Sequence, residues 1–253
     1  MIDVGTGLSI LIQGADFNFL YDAGTNDAGE KPRRVLDYLA AAMGASGDST
    51  CVAVGATVPA GRRKIDHVVL SHPHADHATA IDDVVHCYDV GTFWDSGAVN
   101  DTKFYRDLLE TIGRAKGIAY RTAAPPPPNR EVPMPKNGAV SIPKTVDWTT
   151  FSEADVVELG AGARLTVLHA EAKQKDMNAN SIVMLVELGG ARVLLTGDAE
   201  SGKRADPGAP LGDVEQHLVE TFPKQIDADI LQVGHHGSKT SSRAAFLSAV
   251  SPR

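Results

Sequence analysis

Three apolar runs in this chain each deliver a polar, metal-loving cluster at their carboxyl end, and this repeated anatomy constrains the fold more than any other feature. "IDHVVL" runs into "SHPHADH", "ARVLLTG" ends in Asp198, and "ADILQVG" ends in His235-His236-Gly237. Apolar runs of this length without polar alternation read as strands buried on both faces. Layered α/β proteins gather their sites at the carboxyl ends of such strands.

The first cluster carries a geometric expectation. On extended backbone, residues i and i+2 point the same way, so His72 and His74 can face one metal. Asp76 and His77 follow as the chain turns into a helix near Ala78, and can swing toward a second point. Four groups from six residues would crowd a single ion, so two cations are the economical reading. A bridging carboxylate such as Asp198 would let them sit roughly 3.5–4 Å apart.

The rest of the chain supports layers around such a centre. "GLSILIQG" and "FNFLYDAG" read as a hairpin, and "PRRVLDYLAAAMG" as a helix opened by Pro32 and closed by Gly44. Ala45–Gly61 reads as a loop. "TAIDDVVHCY" reads as a helix, "VGTFWDS" as a strand, and "DTKFYRDLLETIGRAKG" as a helix with an Asp cap. The Pro-rich stretch near 123–137 cannot be helix interior or central strand, and reads as an extended surface insertion in a single domain spanning 1–253. "DVVELG" and "ARLTVLHA" follow as strands. "SIVMLVELGGARVLLTGD" is a hairpin whose Gly189-Gly190 loop needs positive φ. "DVEQHLVETF" reads as an amphipathic helix and "SSRAAFLSAV" as a Ser-capped one. The β-α alternation favours a layered α/β architecture over an all-β one, with two sheets packed face to face and helices outside.

The ordered motifs resemble the metallo-β-lactamase superfamily, whose fold is an αββα sandwich. "SHPHADH" looks like its H-x-H-x-D-H signature. "LLTGDAE", "VGHHGSKTS", "DVGTGLSILI" and "LYDAG" resemble the branch containing the hydrolase-like domain of DNA-uptake competence proteins. The resemblance implies that His72 and His74 bind one metal and that Asp76 and His77 bind the other, with Asp198 bridging. His236 would complete the second site and leave His235 near the substrate, with the reverse assignment as the alternative. His169 in "VLHA" stands where many members place a third ligand of the first metal. Asp22 matches an aspartate that supports the ligand loop through hydrogen bonds. Asn178 in "NANS" would touch substrate or water. Nitrogen-rich ligation implies two zinc ions, with manganese as the option.

The implied reaction is hydrolysis by a metal-bridging hydroxide, with Asp76 orienting or deprotonating the water and His235 steadying the leaving group. A phosphodiester is the expected substrate. A lactone, β-lactam or thioester is the alternative, and a metal-binding or uptake-accessory domain without turnover is the rival from another class. No Walker sequence, Rossmann fingerprint or Ser-His-Asp order competes.

Two departures from the branch stand out. "ATA" replaces the usual glycine-rich continuation after Asp76-His77. The chain also stops at "AVSPR", where the family continues, so the last strands are expected to be missing.

Composition narrows the partners. The formal net charge is -8, and only Gly61–Lys64 and Lys31–Arg34 form basic runs. That balance speaks against extended nucleic-acid binding but not against a small phosphorylated substrate. A DNA nuclease, the least favoured rival, would show a steep salt dependence of binding. No apolar stretch is long enough to span a membrane, and residues 1–20 lack a signal-peptide pattern. Competence-type domains act outside the cytoplasmic membrane, which leaves export open. Cys51 and Cys87 lie far apart in no metal spacing, and read as one core filler and one loop thiol, with a single disulfide as the alternative. His67, His86 and His217 fall outside the motifs and read as structural or surface groups.

Overall fold

Alternate residues of each central strand enter different cores, which explains why these strands read as unbroken apolar runs. In the computed structural model, which describes residues 1–26 and 33–253, the first strands are β1 Ser9–Gln13, β2 Asn18–Ala23, β3 Lys64–Leu70, β4 Asp89–Asp95 and β5 Ala119–Thr122. They are followed by β6 Glu131–Val132, β7 Val140–Ser141, β8 Asp147–Thr150, β9 Val156–Gly160, β10 Ala163–His169, β11 Val183–Leu188, β12 Ala191–Leu195 and β13 Ile230–Leu231. The helices are α1 Arg33–Met43, α2 Ala75–Ala78, α3 Ile81–Cys87, α4 Lys103–Arg114, α5 Asp213–Thr221 and α6 Ala244–Val250. Pro32, expected to open the first helix, and Lys31 of the first basic run lie outside the described residues.

One sheet runs β1-β2-β3-β4-β5-β8 and the other β13-β12-β11-β10-β9. In the first, only β1 is antiparallel, the remaining strands being parallel. The second is antiparallel except where β13 joins β12. Phe19, Tyr21 and Val69 meet Leu165, Val167, Met184 and Val186 between the sheets. Their neighbours Leu20, Val68 and Leu70 face α1, α3 and α4 instead. On the far side Val183, Leu185 and Leu194 pack against α5 and α6. The layers are therefore helix, sheet, sheet, helix, and burying both faces of each sheet is what requires the continuous apolar sequence.

Several local expectations are corrected. Cys51 and Cys87 form a disulfide and are not separate thiols. The residue at the start of α4 is Thr102, without a side-chain cap bond. Asp101 instead accepts the Lys136 amide at 2.8 Å and the Asn137 side chain at 2.9 Å. Arg243, not a serine, precedes α6, while Ser241 Oγ donates to the Gly234 carbonyl at 2.7 Å. The Pro-rich stretch is not wholly superficial: Val132 and Met134 enter the core under the first sheet. Among the described residues, no helix is long and apolar enough to cross a membrane.

Candidate metal centre

Two strand ends meet at one rim of the sandwich. β3 stops at Leu70 and β12 at Leu195, and the segments that follow meet at His77 and Asp198, 3.1 Å apart. The entry to β11 is tied to the same rim, with the Ile182 amide donating to the Ser71 carbonyl at 2.9 Å and the Tyr21 hydroxyl to the Ile182 carbonyl at 2.6 Å. Gly197 has φ +55°, and a Cβ there would stand 2.7 Å from the Ser71 Cβ, so this crossing needs glycine. Gln232 fastens the turn. Its Oε1 accepts the Thr196 and Gly197 amides at 2.8 and 2.7 Å, which brings the segment after β13 beside Asp198.

The same rim sets Asp76. A Cβ on Gly24 would fall 2.3 Å from the Asp76 carbonyl carbon, and the Leu8 amide donates to the Asp76 carbonyl at 3.0 Å. α2 is thus clamped against the end of β2 with Asp76 and His77 on it. The helix begins at Ala75, earlier than the turn expected near Ala78. His235 and His236 both have left-handed backbone, φ 46° and 51°, a strain typical of functional turns. That conformation turns the two adjacent imidazoles to different sides of Asp198.

The geometry divides around that carboxylate. Asp198 Oδ1 lies 3.1 Å from His77 Nε2 and 3.7 Å from His236 Nε2. Asp198 Oδ2 lies 3.8 Å from His72 Nε2 and 3.9 Å from His235 Nε2. Asp76 Oδ2 is 3.2 Å from His236 Nε2. Ligand atoms of Asp76, His77, Asp198 and His236 fall within 4.8 Å of one another, as do those of His72, His74 and Asp198. The structure therefore brings together every residue of the expected ligand set apart from His169, and puts His236 rather than His235 with Asp76 and His77.

His169 is the correction. Its Nδ1 meets the Ser181 carbonyl at 2.8 Å, and its ring packs edge-on to His217 with centroids 5.8 Å apart. It belongs to neither cluster. Asn178 is buried, with its Nδ2 donating to Glu200 Oε1 at 2.8 Å.

The chemistry of these donors fits cations. Asp198 Oδ1 is buried and accepts no hydrogen bond. Imidazole nitrogens face each other directly, His72 Nε2 to His74 Nδ1 at 2.9 Å and His77 Nε2 to His236 Nε2 at 3.3 Å. Two lone pairs in such contact repel unless a proton or a cation lies between them. Burial pushes the His72 imidazole well below its ordinary range, which keeps it neutral and fit to ligate. Burial also opposes charge on His77, but the Asp22 and Asp198 carboxylates win and raise it to about 10. A positive charge is wanted at that point. Burial works against the Asp76 carboxylate, yet the His236 hydrogen bond and nearby His77 hold it at about 2.

Asp22, expected to support the ligand loop, orients these groups together with Glu200, Thr240 and Ser181, which the sequence did not single out. Asp22, fully buried at φ 57°, accepts from the Ser71 amide at 2.7 Å, the Ser71 hydroxyl at 2.8 Å and His77 Nδ1 at 2.8 Å. This leaves His77 Nε2 for the cluster. Glu200 Oε1 lies 2.5 Å from His235 Nδ1, and Thr240 Oγ1 is 2.8 Å from the same nitrogen. The Glu200 hydrogen bond raises the His235 pKa. Ser181 Oγ takes the Asp198 amide at 3.1 Å. Of these, Glu200 had the clearest signal, a carboxylate two residues beyond Asp198 in an otherwise small and apolar turn.

The sequence profile of the Metallo-beta-lactamase superfamily matches residues 2–253. Competence protein ComA of Neisseria gonorrhoeae is 26% identical over 99% of this chain and 25% of its own length. ComE operon protein 3 of Bacillus subtilis (strain 168) is 38% identical over 34% of this chain and 10% of its own. The chain thus spans a quarter or less of these two relatives. Among solved structures, metallo-beta-lactamase SMB-1 bound to 2-mercaptoethanesulfonate aligns over 98% of this chain and 86% of its own, at 14% identity and a TM-score of 0.44.

Proposed function

The chain belongs to the metallo-β-lactamase superfamily, and on that premise we propose that it is a hydrolase working with two divalent cations, one on each side of Asp198. The observation that carries this reading is the division of a single carboxylate, Oδ1 toward His77 and His236, Oδ2 toward His72 and His235. His72 and His74 would hold one cation and Asp76, His77 and His236 the other, with Asp198 shared. Nitrogen-rich donors favour zinc, with manganese the alternative. When bound, such cations acidify water and stabilise a developing oxyanion.

The chain's own groups supply binding and proton movement. Asp76, ionised and partly open to solvent, is placed to take a proton at the mouth of the centre. His235 is fixed through Nδ1 by Glu200, so its Nε2 points inward and can give a proton to a leaving oxygen. Similarity to the competence proteins supports a phosphodiester substrate. The net charge of -8 supports a small substrate or a strand end over an extended duplex.

The test is metal analysis joined to a substrate panel of bis-nitrophenyl phosphate, a lactone and a cephalosporin. The expected result is two cations per chain and phosphodiester cleavage that a chelator abolishes and zinc or manganese restores. Turnover confined to the lactone or cephalosporin would move the protein to another hydrolase class. Full metal occupancy without turnover would make it a binding or accessory domain.

A further inference from the structure

A second set of metal-ligating groups stands away from Asp198, at the far end of α3 from the Asp76–His77 turn. The Ala45–Gly61 loop folds over Cys87, and its Cys51 is bonded to that residue. Sulfur atoms of Cys51 and Cys87 and a ring nitrogen of His86 lie within 4.8 Å of one another. Asp48 closes the group, with Oδ2 3.1 Å from His86 Nε2 and Oδ1 3.7 Å from Cys51 Sγ. Two sulfurs, an imidazole and a carboxylate are the donors of a tetrahedral zinc-type site.

The loop does not depend on the disulfide alone for its position. Ser46 Oγ donates to the Cys87 carbonyl at 2.6 Å and accepts the Arg63 amide at 2.8 Å. The Gly47 amide donates to the Gly61 carbonyl at 3.2 Å. Gly47 itself, at φ +84°, leaves no space for a Cβ, which would fall 2.6 Å from Cys51 Sγ. Opening the sulfur–sulfur bond would therefore leave both thiols facing each other beside His86. Cys51 and Cys87 are both buried, while His86 and Asp48 are exposed and give a metal its route in.

We propose that this corner is a redox-gated metal site: oxidised, it is a crosslink, and reduced, Cys51, Cys87, His86 and Asp48 bind one zinc-class cation. A dithiol reductant supplies two electrons and two protons to the Cys51–Cys87 bond and becomes a disulfide itself. Metal binding then releases those two protons as two sulfur–metal bonds form. The oxidised sulfurs carry no thiolate charge and hold no metal.

Cobalt(II) titration of the whole chain, oxidised and then reduced anaerobically by a dithiol removed before titration, tests the proposal. The primary centre contains no sulfur, so a thiolate-to-cobalt absorption reports this corner alone. The expected result is one further equivalent of cobalt in the reduced protein, carrying that absorption. Cys87→Ser should lose both, and His86→Ala and Asp48→Asn should weaken binding. Because Cys87→Ser also removes the crosslink, the two redox states of the unaltered chain carry the decision. Equal cobalt uptake in both states, without sulfur-dependent absorption, overturns the proposal. An absorption unchanged by both His86→Ala and Asp48→Asn overturns it as well.

Discussion

The two sides of Asp198 are built differently. On the Oδ1 side, His77 is backed by buried Asp22, and Asp76 stands against His236, so three carboxylates surround two imidazoles. On the Oδ2 side, among the described residues, Asp198 alone among carboxylates groups with the ligand atoms of His72 and His74, and His169, which could have completed the set, is bonded to the Ser181 carbonyl. Cation affinity follows the negative charge and the number of fixed donors. The Oδ1 side should therefore hold its metal tightly and the Oδ2 side loosely, although both draw on one aspartate.

The most damaging way to break this asymmetry is Asp198→Ala, which removes the shared group. Metal content measured after dialysis should fall from two equivalents toward none, and hydrolysis to the metal-free background. Retention of one tightly held equivalent would mean that the carboxylate is not shared. His236→Ala against His74→Ala sharpens the comparison. The first should lose the equivalent that survives mild chelation, and the second only the equivalent that mild chelation already removes. Equal losses from both variants would show the two sides to be equivalent.

Asp22→Asn should have a smaller effect and act chiefly through His77, with the Ser71 hydroxyl that shares the same oxygen turned as well. The asparagine keeps an acceptor for the Ser71 amide but turns an NH₂ donor toward His77 Nδ1. The proton of the neutral imidazole then moves to Nε2, the nitrogen that faces Asp198. Metal affinity on that side should drop by about 10–100-fold. Competition with a calibrated chelator reads this directly, and an unchanged affinity would remove Asp22 from the design.

These residues differ in how legible they were in the sequence. His72, His74, Asp76 and His77 were readable because one loop carries all four, and Asp198 because it ends an apolar run. The choice of His236 over His235 came from the resemblance and not from the residues themselves, since it rests on positive φ at both positions, which no side-chain pattern announces. His169 sits at the expected strand end, yet a carbonyl twelve residues later in the chain decides where its ring goes. The sheets were legible from apolar runs and Gly189-Gly190. The disulfide was not, because its two halves are 36 residues apart and are joined only when the loop folds over α3. Helix caps failed for a related reason: Asp101 and Ser241 found partners in other segments and left the helix ends uncapped.

The smallest expected effect concerns His67, which shares β3 with the ligand loop but lies between the sheets, where it tests the scaffold independently of the metals. Its ring stands between Phe19 and Trp94, with Trp94 Nε1 donating to its Nδ1 at 3.2 Å. Burial lowers its pKa from 6.5 to about 4, only partly opposed by Asp66. A histidine depressed on folding contributes stability that is complete above its unfolded pKa and lost as pH falls. The window here therefore runs from about 6.5 down through about 4. The shift corresponds to at most ~3 kcal/mol, and partial solvent access reduces it to about 1–2 kcal/mol. His67→Gln does not titrate in this range and should not pay that penalty. Urea unfolding of both chains at pH 7 and at pH 4.5 isolates it, because acid release of metal is common to both and cancels in the difference. The stability gap between the unaltered chain and the variant should narrow in acid. Parallel curves would mean that His67 takes up its proton within the fold without cost, and that the space between the sheets at β3 is open to water.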